Sequence, residues 1–253
     1  MDLKTNYLGL SLPHPFMPGA SPLVDDLDTV KRLEDAGAAA IVMHSLFEEQ
    51  LESEQVATSS FLDSPANSFA EALDYLPEPD DFALGPDEYL QQVARIKETV
   101  DVPVIASLNG SREGMLLDYA RLIEGAGADA LELNLYLLAM NPMEDAAAVE
   151  ERLLAMVADV KSSISIPLAV KLSTRFTALA NFARRLEENG ADGIVIFNRF
   201  YQADIDIEEL ETKRSLHLSD SSELLMRLRW LAVLSSQREL SLAVTGGVHT
   251  AED

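Results

Sequence analysis

The chain has 253 residues, of which 47% are hydrophobic, and a formal net charge of −24 from 43 acidic and 19 basic residues. This composition is typical of a globular protein, and so negative a charge disfavours nucleic acid and anionic membrane surfaces as partners. Without cysteine there are no disulfides, thiolate metal ligands or cysteine nucleophiles. Because MDLKTNYLGL does not resemble a signal peptide and no apolar run approaches the roughly 20 residues of a membrane helix, we expect a cytoplasmic protein.

The predicted elements alternate between strands and helices along the chain. Residues 5–15 are predicted to form a hairpin that plugs a barrel floor, and 47–85 form a long acidic insertion after the second strand. A connection of that length is usually functional or mobile. The predicted strands cover 15–21, 39–45, 102–109, 128–135, 167–173, 193–198 and 241–247. The predicted helices cover 25–36, 86–99, 113–125, 145–162, 175–189 and 220–236.

Three segments repeat one pattern: a helix end, a glycine and an apolar strand. They are 32–44 (RLEDAGAAAIVMH), 121–134 (RLIEGAGADALELN) and 185–198 (RLEENGADGIVIFN). Wholly apolar strands indicate a parallel sheet covered on both faces. Because polar residues and glycines recur where the strands end, we favour a (β/α)8 TIM-type barrel over a doubly wound sheet. Only seven strands can be counted, so the α/β fold is predicted as a single domain over 1–253 without strand 8 and helix 8.

Lys171 is the most informative single residue, because it lies in the apolar strand LAVKLS. Lysine is rarely buried without a partner. One interpretation is a structural ion pair at the barrel mouth. Two functional interpretations are a Schiff base formed by the amine and a cation beside an anionic cofactor such as a reduced flavin.

Other polar residues stand at predicted strand ends. Asn134 and Asn198 each end a repeated segment and together suggest a polar platform for a planar heterocycle, although a buried amide can also simply hold a loop. Gly246-Gly247 leaves backbone amides open to a phosphate, or forms an ordinary tight turn. His44 is a candidate acid, base or ligand, and no second histidine lies at metal-ligand spacing, so we predict no metal site.

The sequence resembles the dihydroorotate dehydrogenase family, and more closely its bacterial dihydroorotate dehydrogenase-like branch. The motifs that carry this resemblance follow one another along nearly the whole chain. They are GLSLPHPFMPGAS (9–21), SLNGS (107–111), GADALELNL (127–135), AVKLS (169–173), GADGIVIFNRF (190–200) and TGGVHTAED (245–253).

This resemblance implies a barrel that binds FMN and oxidises a dihydropyrimidine, converting dihydroorotate to orotate in pyrimidine biosynthesis, and it allows a homodimer. It implies a supporting role for Lys171 at the flavin N1/O2 edge. It places further cofactor contacts at Ala20, Ser21, Asn109, Asn134, Asn198, Gly246 and Gly247. It places substrate contacts at Asn67, Asn134 and Asn198.

The sequence departs from the family pattern at three places. The position of the family's Cys or Ser base falls on Leu137, which cannot accept a proton. The lysine that usually ends strand 2 is replaced in the region of His44-Ser45, so His44 becomes a low-ranked catalytic candidate beside Lys171. The third departure is the missing strand 8. Two alternatives therefore stand: a flavin-binding homologue without dihydroorotate turnover, and, less favoured, a Schiff-base lyase using Lys171.

Overall fold

The computed structural model describes residues 2–47, 86–110, 113–135, 137, 139–198, 203–208, 211–214 and 218–253. Its main sheet has six parallel strands in the order β3-β4-β5-β6-β7-β10. Their bounds are β3 Ile41–Phe47, β4 Val104–Asn109, β5 Ala130–Asn134, β6 Leu168–Leu172, β7 Gly193–Ile196 and β10 Ser241–Val244. Strands follow one another in chain order with helices between them, which is the arrangement of an incomplete (β/α) barrel.

Six helices are described on the outside of this sheet. Their bounds are α1 Leu27–Asp35, α2 Pro86–Thr99, α3 Glu113–Gly125, α4 Ala146–Ser163, α5 Leu179–Glu188 and α6 Leu224–Ser235. Capping explains where two of them begin, because Asp26 accepts from the Thr29 amide and Asp145 from the Ala148 amide. The bounds of α2 and α3 agree with the sequence prediction, and the other helices differ from it by one to four residues at their ends.

The repeated Gly-Ala-Asp turns join each helix to the neighbouring strand. Asp129 accepts hydrogen bonds from Lys97 Nζ at 2.7 Å and from the Val104 amide at 2.7 Å. Asp192 does the same with Lys161 Nζ at 2.7 Å and the Leu168 amide at 2.8 Å. Each carboxylate therefore ties the end of one helix to the start of an adjacent strand and helps to fix the sheet register.

An N-terminal hairpin closes the lower end of the sheet. Strands β1 (Thr5–Tyr7) and β2 (Leu10–Leu12) pair antiparallel. Tyr7, Leu8 and Leu12 pack into one buried cluster with the small inward-facing residues of the strands. A Cβ on Gly193 would lie only 2.6 Å from Leu8 Cδ2, so a glycine at this position lets the hairpin approach the sheet.

The predicted first strand at 15–21 is wrong, since this segment has no strand conformation. One backbone hydrogen bond links it to the start of the second predicted strand, from the Ala39 amide to the Phe16 carbonyl at 3.0 Å. Pro15 and Pro18 supply the physical reason, because proline has no amide hydrogen for a ladder. The segment still occupies the flank of the barrel, with a Cβ built on Gly19 lying 3.7 Å from Thr245 Oγ1.

Two further strands were not anticipated. Strands β8 (Ala203–Asp206) and β9 (Glu211–Arg214) form an antiparallel pair between β7 and α6. The predicted insertion at 47–85 lies outside the described residues except for Phe47, the last residue of β3. Within the described residues, no helix combines the length and the apolar character that crossing a membrane would require.

Candidate functional site

The centre of the candidate site is a buried ion pair between Lys171 and Glu132. Lys171 lies on β6 and Glu132 on the adjacent strand β5, and Lys171 Nζ donates to Glu132 Oε1 at 3.0 Å. The two side chains are 10% and 6% exposed. The structural ion pair considered for Lys171 is therefore present, and its partner is a carboxylate for which the sequence analysis assigned no role.

The charge of Glu132 acts on two tyrosines from different layers of the fold. Tyr7, in the hairpin, has its pKa raised mainly by burial and further by the Glu132 carboxylate. Tyr89, on α2, has its pKa raised by burial and by the same carboxylate, while its hydrogen bond with Ser107 works in the opposite direction. Both phenols therefore stay protonated around Glu132, and Lys171 is its ion-pair partner.

Asn134 is the centre of a hydrogen-bonded network where the strands end. Its Nδ2 donates to Ser45 Oγ at 3.0 Å and to Ser107 Oγ at 2.9 Å. The two hydroxyls lie 2.8 Å apart. Asn198 Nδ2 lies 3.4 Å from Asn134 Oδ1. The structure thus brings Asn134 and Asn198 together as predicted, and it holds them with serines from β3 and β4.

Asn109 adds a third amide side chain to the same region, besides those of Asn134 and Asn198. It ends β4, pairs in register with Asn134 of β5, and is 8% exposed. Because side chains alternate along a strand, Asn109 faces the same side as Ile105 and Ser107, which is the barrel interior. In the described part of the chain its side chain has no hydrogen-bond partner, so its donors and acceptor remain available to a ligand.

His44 lies in a different environment from this network. Its Nδ1 lies 2.8 Å from Asp25 Oδ1, although this contact lacks the alignment of a hydrogen bond. Its ring also packs edge-on against Tyr89. Burial lowers the pKa of His44 below its usual value, and Asp25 offsets part of that effect. Among the described residues no hydrogen bond joins His44 to Asn134 or Lys171, and its observed contacts are with Asp25 and Tyr89.

The Gly246-Gly247 turn is built around a buried arginine. Arg227, 2% exposed, donates from Nε to the Thr245 carbonyl at 2.5 Å and from Nη1 to the Glu223 carbonyl at 2.8 Å. A Cβ on Gly246 would lie 2.9 Å from Arg227 Nη2, and one on Gly247 would lie 2.8 Å from the Leu224 amide nitrogen. Close packing and positive φ angles of 77° and 84° therefore account for both glycines.

The amides of this turn are only partly free for a phosphate. The Gly247 amide donates to Ser219 Oγ at 3.1 Å, and that hydroxyl also lies 3.0 Å from His249 Nε2. A phosphate at this turn would compete with Ser219 for the Gly247 amide or would use it together with the hydroxyl. The predicted phosphate role of the turn remains a proposal.

The remaining predicted residues lie in other parts of the fold or outside the described residues. Ala20 packs partly buried against the interior cluster, and half-buried Ser21 precedes the short 3-10 helix Pro22–Val24. Asn67 lies outside the described residues. Leu137, at the expected base position, packs against the hydrophobic core.

Sequence reasoning missed Glu132 and Arg227, although one signal marked them both. Each is a charged residue within an otherwise apolar stretch, LELN for Glu132 and LLMRLRWL for Arg227. The argument that singled out Lys171 applies equally to them, because charged side chains are rarely buried without a partner. Their partners could not be inferred without the register that places β5 beside β6 and α6 beneath the Gly246-Gly247 turn.

The chain is similar in sequence to enzymes that oxidise dihydropyrimidines. It is 29% identical over 180 residues to the catalytic subunit of dihydroorotate dehydrogenase B (NAD(+)) from Geobacillus kaustophilus, covering 67% of this chain and 56% of that protein. It is 26% identical to the same subunit from Thermoplasma acidophilum, covering 100% of this chain and 81% of that one. It is 24% identical to the NAD-dependent dihydropyrimidine dehydrogenase subunit PreA of Escherichia coli K12, over 100% of this chain and 64% of the subunit.

These similarities support a relationship to the dihydroorotate dehydrogenase-like oxidoreductases without selecting one member. The chain spans about half the length of some curated relatives it matches. No family model matches it. Among solved structures, phosphonopyruvate hydrolase in complex with oxalate and Mg²⁺ aligns with a TM-score of 0.51 at 19% identity, over 92% of this chain and 76% of that one. At that identity the likeness bears on the fold alone.

Proposed function

We propose that this protein is an FMN-dependent oxidoreductase of the dihydroorotate dehydrogenase type, which acts on the CH–CH bond of a dihydropyrimidine such as dihydroorotate. The observation that supports it most directly is Lys171, buried at the barrel centre beside its register partner Asn134. Asn134 in turn pairs in register with Asn109 and accepts from Asn198 at 3.4 Å. The similarity to dihydroorotate and dihydropyrimidine dehydrogenases supports the same reaction class.

The residues of the site fit a flavin in their chemistry. A reduced flavin carries negative charge at its N1/O2 edge, and Lys171 is a buried cation that uses one of its three donors on Glu132. The pyrimidine end of a flavin alternates donors and acceptors, and Asn109 offers both, with no competing partner among the described residues. FMN would supply hydride acceptance, a chemistry for which this chain has no side chain of its own.

The residues of the chain would then bind and orient the reactants. Asn134 is held in place by Ser45 and Ser107, so its carbonyl points to Asn198 and the pair presents a fixed polar edge. Such preorganised hydrogen-bonding groups lower the cost of placing a planar substrate in one orientation. Tyr7, Leu8 and Leu12 close the floor beneath and exclude water from that side.

Dihydroorotate turnover requires a proton acceptor, and this chain has none at the position of the family's base. The family base position falls on Leu137, whose side chain packs against the core. A flavin-binding homologue without dihydroorotate turnover is therefore the main alternative within the same family. Replacing Leu137 by Ser or Cys distinguishes the two, because orotate formation that appears only in the variant identifies the missing base as the sole defect.

The central experiment is titration of purified apoprotein with FMN, followed by assay of dihydroorotate oxidation with an artificial electron acceptor. We expect FMN to bind and Lys171→Met to weaken binding of the reduced form by at least tenfold. Lys97→Met is the matched control, because Lys97 also pairs with a carboxylate, that of Asp129, but lies at a helix end. Failure of the wild-type protein to bind FMN would refute the proposal, whereas binding without orotate formation would favour the homologue lacking turnover.

A Schiff-base lyase is the second candidate, and the Glu132 contact is the observation that favours it. In such an enzyme the neutral amine of Lys171 attacks a substrate carbonyl, a C=N bond forms and water leaves. A carboxylate at 3.0 Å is placed to transfer the protons that this sequence requires. Borohydride reduction in the presence of small aldehydes and 2-oxo acids tests it by mass spectrometry, and absence of an adduct on Lys171 would exclude it.

A further inference from the structure

We propose that Glu132 is a positioning residue that holds the charge of Lys171 at the barrel centre, and that through Lys171 it sets the preference of the site for reduced over oxidised flavin. The second half of this proposal rests on the proposed FMN-dependent function. The first half concerns the apoprotein and stands independently of it.

The sheet register places the two residues close enough to neutralise each other. Lys171 is the register partner of Asn134, and Glu132 lies two residues earlier on the same face of β5, one layer closer to the floor. Nζ therefore leans towards that deeper layer to reach Oε1 at 3.0 Å. Among the described residues no other carboxylate lies within ion-pair distance of Lys171, so Glu132 determines where its charge is held.

The buried surroundings of the pair strengthen the electrostatic interaction of the Glu132 carboxylate with Lys171. Both side chains are at most 10% exposed, so little solvent is present to screen their interaction. Among the described residues, the titratable groups of other elements that the Glu132 charge acts on are the phenols of Tyr7 and Tyr89, which are uncharged. Ser107 is its register partner on β4. Removing the carboxylate would leave Lys171 without a counter-charge in buried surroundings, where an unpaired charge is costly.

The consequence for a flavin follows from the sign of the charges. A protonated Lys171 stabilises the negative charge of the reduced ring, whereas a neutral amine does not. If Glu132 acts through Lys171, then its removal weakens binding of reduced flavin. If Glu132 acts only as a nearby negative charge, then its removal strengthens that binding. The two possibilities predict opposite changes in the flavin potential.

The first arm of the test uses apoprotein and measures how fast acetic anhydride, which reacts with neutral amines, modifies Lys171 at pH 8 by peptide mass spectrometry. We expect Glu132→Gln to speed modification of Lys171 at least tenfold, while Lys97 in the same molecules is modified at an unchanged rate. Equal rates for Lys171 in the two proteins, whether fast or slow, would overturn the proposal. If Glu132→Gln does not fold, Glu132→Asp withdraws the carboxylate from Nζ by one methylene and should speed modification of Lys171 to a smaller extent, and an unchanged rate would again overturn the proposal.

The second arm measures the midpoint potential of bound FMN. We expect Glu132→Gln to reduce the ratio of reduced-form to oxidised-form affinity at least tenfold, which lowers the potential by about 30 mV for a two-electron couple. Lys171→Met should lower it by a similar amount, and adding Glu132→Gln to Lys171→Met should lower it no further. A raised potential in Glu132→Gln would overturn the proposal. Absence of FMN binding in the wild-type protein would refute the proposed function, and the apoprotein arm would still decide the role of Glu132.

Discussion

The stability of the fold should depend strongly on both members of the Lys171–Glu132 pair. Lys171→Met leaves the Glu132 carboxylate uncompensated in a position where it is 6% exposed. Breaking a buried ion pair by removing one partner costs about 3–5 kcal/mol. For a domain of this size each kcal/mol corresponds to roughly 2–4 °C in Tm. We therefore expect the variant to unfold roughly 6–20 °C below the wild-type protein.

The assay is urea unfolding of apoprotein, followed by circular dichroism and tryptophan fluorescence to check that unfolding is two-state. Two comparisons make it specific. Lys97→Met breaks an ion pair whose side chains are 29% and 28% exposed and should cost about 1 kcal/mol or less. The double variant Glu132→Leu with Lys171→Met removes both charges and should recover most of the loss. A loss below about 1 kcal/mol for Lys171→Met, or additive losses in the double variant, would refute the assignment of a buried, mutually dependent pair.

Three further predictions concern other parts of the molecule. Arg227→Met should cost about 3 kcal/mol in urea unfolding, because it leaves buried acceptors without their charged donor, and a loss near zero would contradict that. Gly37→Ala and Gly190→Ala both force alanine to a positive φ, which should lower the free energy of unfolding by about 1–2 kcal/mol. Only in Gly190→Ala does the added Cβ also meet Lys161 Cγ, at 2.9 Å, so this variant should be the less stable of the two. His44 has a lowered pKa in the folded state, so below about pH 6.5 the unfolded chain binds more protons and stability falls. The free energy of unfolding should be lower at pH 5.5 than at pH 7.5 in the wild-type protein, and the difference should be smaller in His44→Gln. Equal differences in the two proteins would contradict this role of His44.

The regular part of the fold was predictable because its signals are local. The bounds of α2 and α3 follow from amphipathic spacing, and Gly127, at a φ of 95°, stops α3 where the sequence pattern places it. The prediction of a strand at 15–21 failed for a physical reason as well. An apolar, extended segment looks like a strand, but Pro15 and Pro18 remove donors that a ladder needs, and the chain satisfies the edge of the sheet through Phe16 instead.

The candidate site was predictable residue by residue but not as a set of contacts. Lys171, Asn134 and Asn198 stood out because polar groups at the ends of apolar strands need partners. The identity of those partners depends on register, which no local pattern specifies. A shift of one residue between β5 and β6 would turn Glu132 to the outer face of the sheet and leave Lys171 without a counter-charge.

The distribution of charge limits what the site can accept. The chain has a net charge of −24, but among the described residues Glu132 is the only buried carboxylate, and its pair with Lys171 sums to zero. Among the described residues the buried cations are Lys171 and Arg227. An anionic ligand would draw on them if Lys171 turned part of its charge away from Glu132, or if Arg227 compensated a phosphate from beneath the Gly246-Gly247 turn. Arg227 is already bonded to Glu223, at 3.0 Å from Nη2 to Oε2. Both cations are thus held by carboxylates, so affinity for an anion must depend on how firmly Glu132 and Glu223 retain them, and variants at these two glutamates should change anion affinity more than variants at surface lysines.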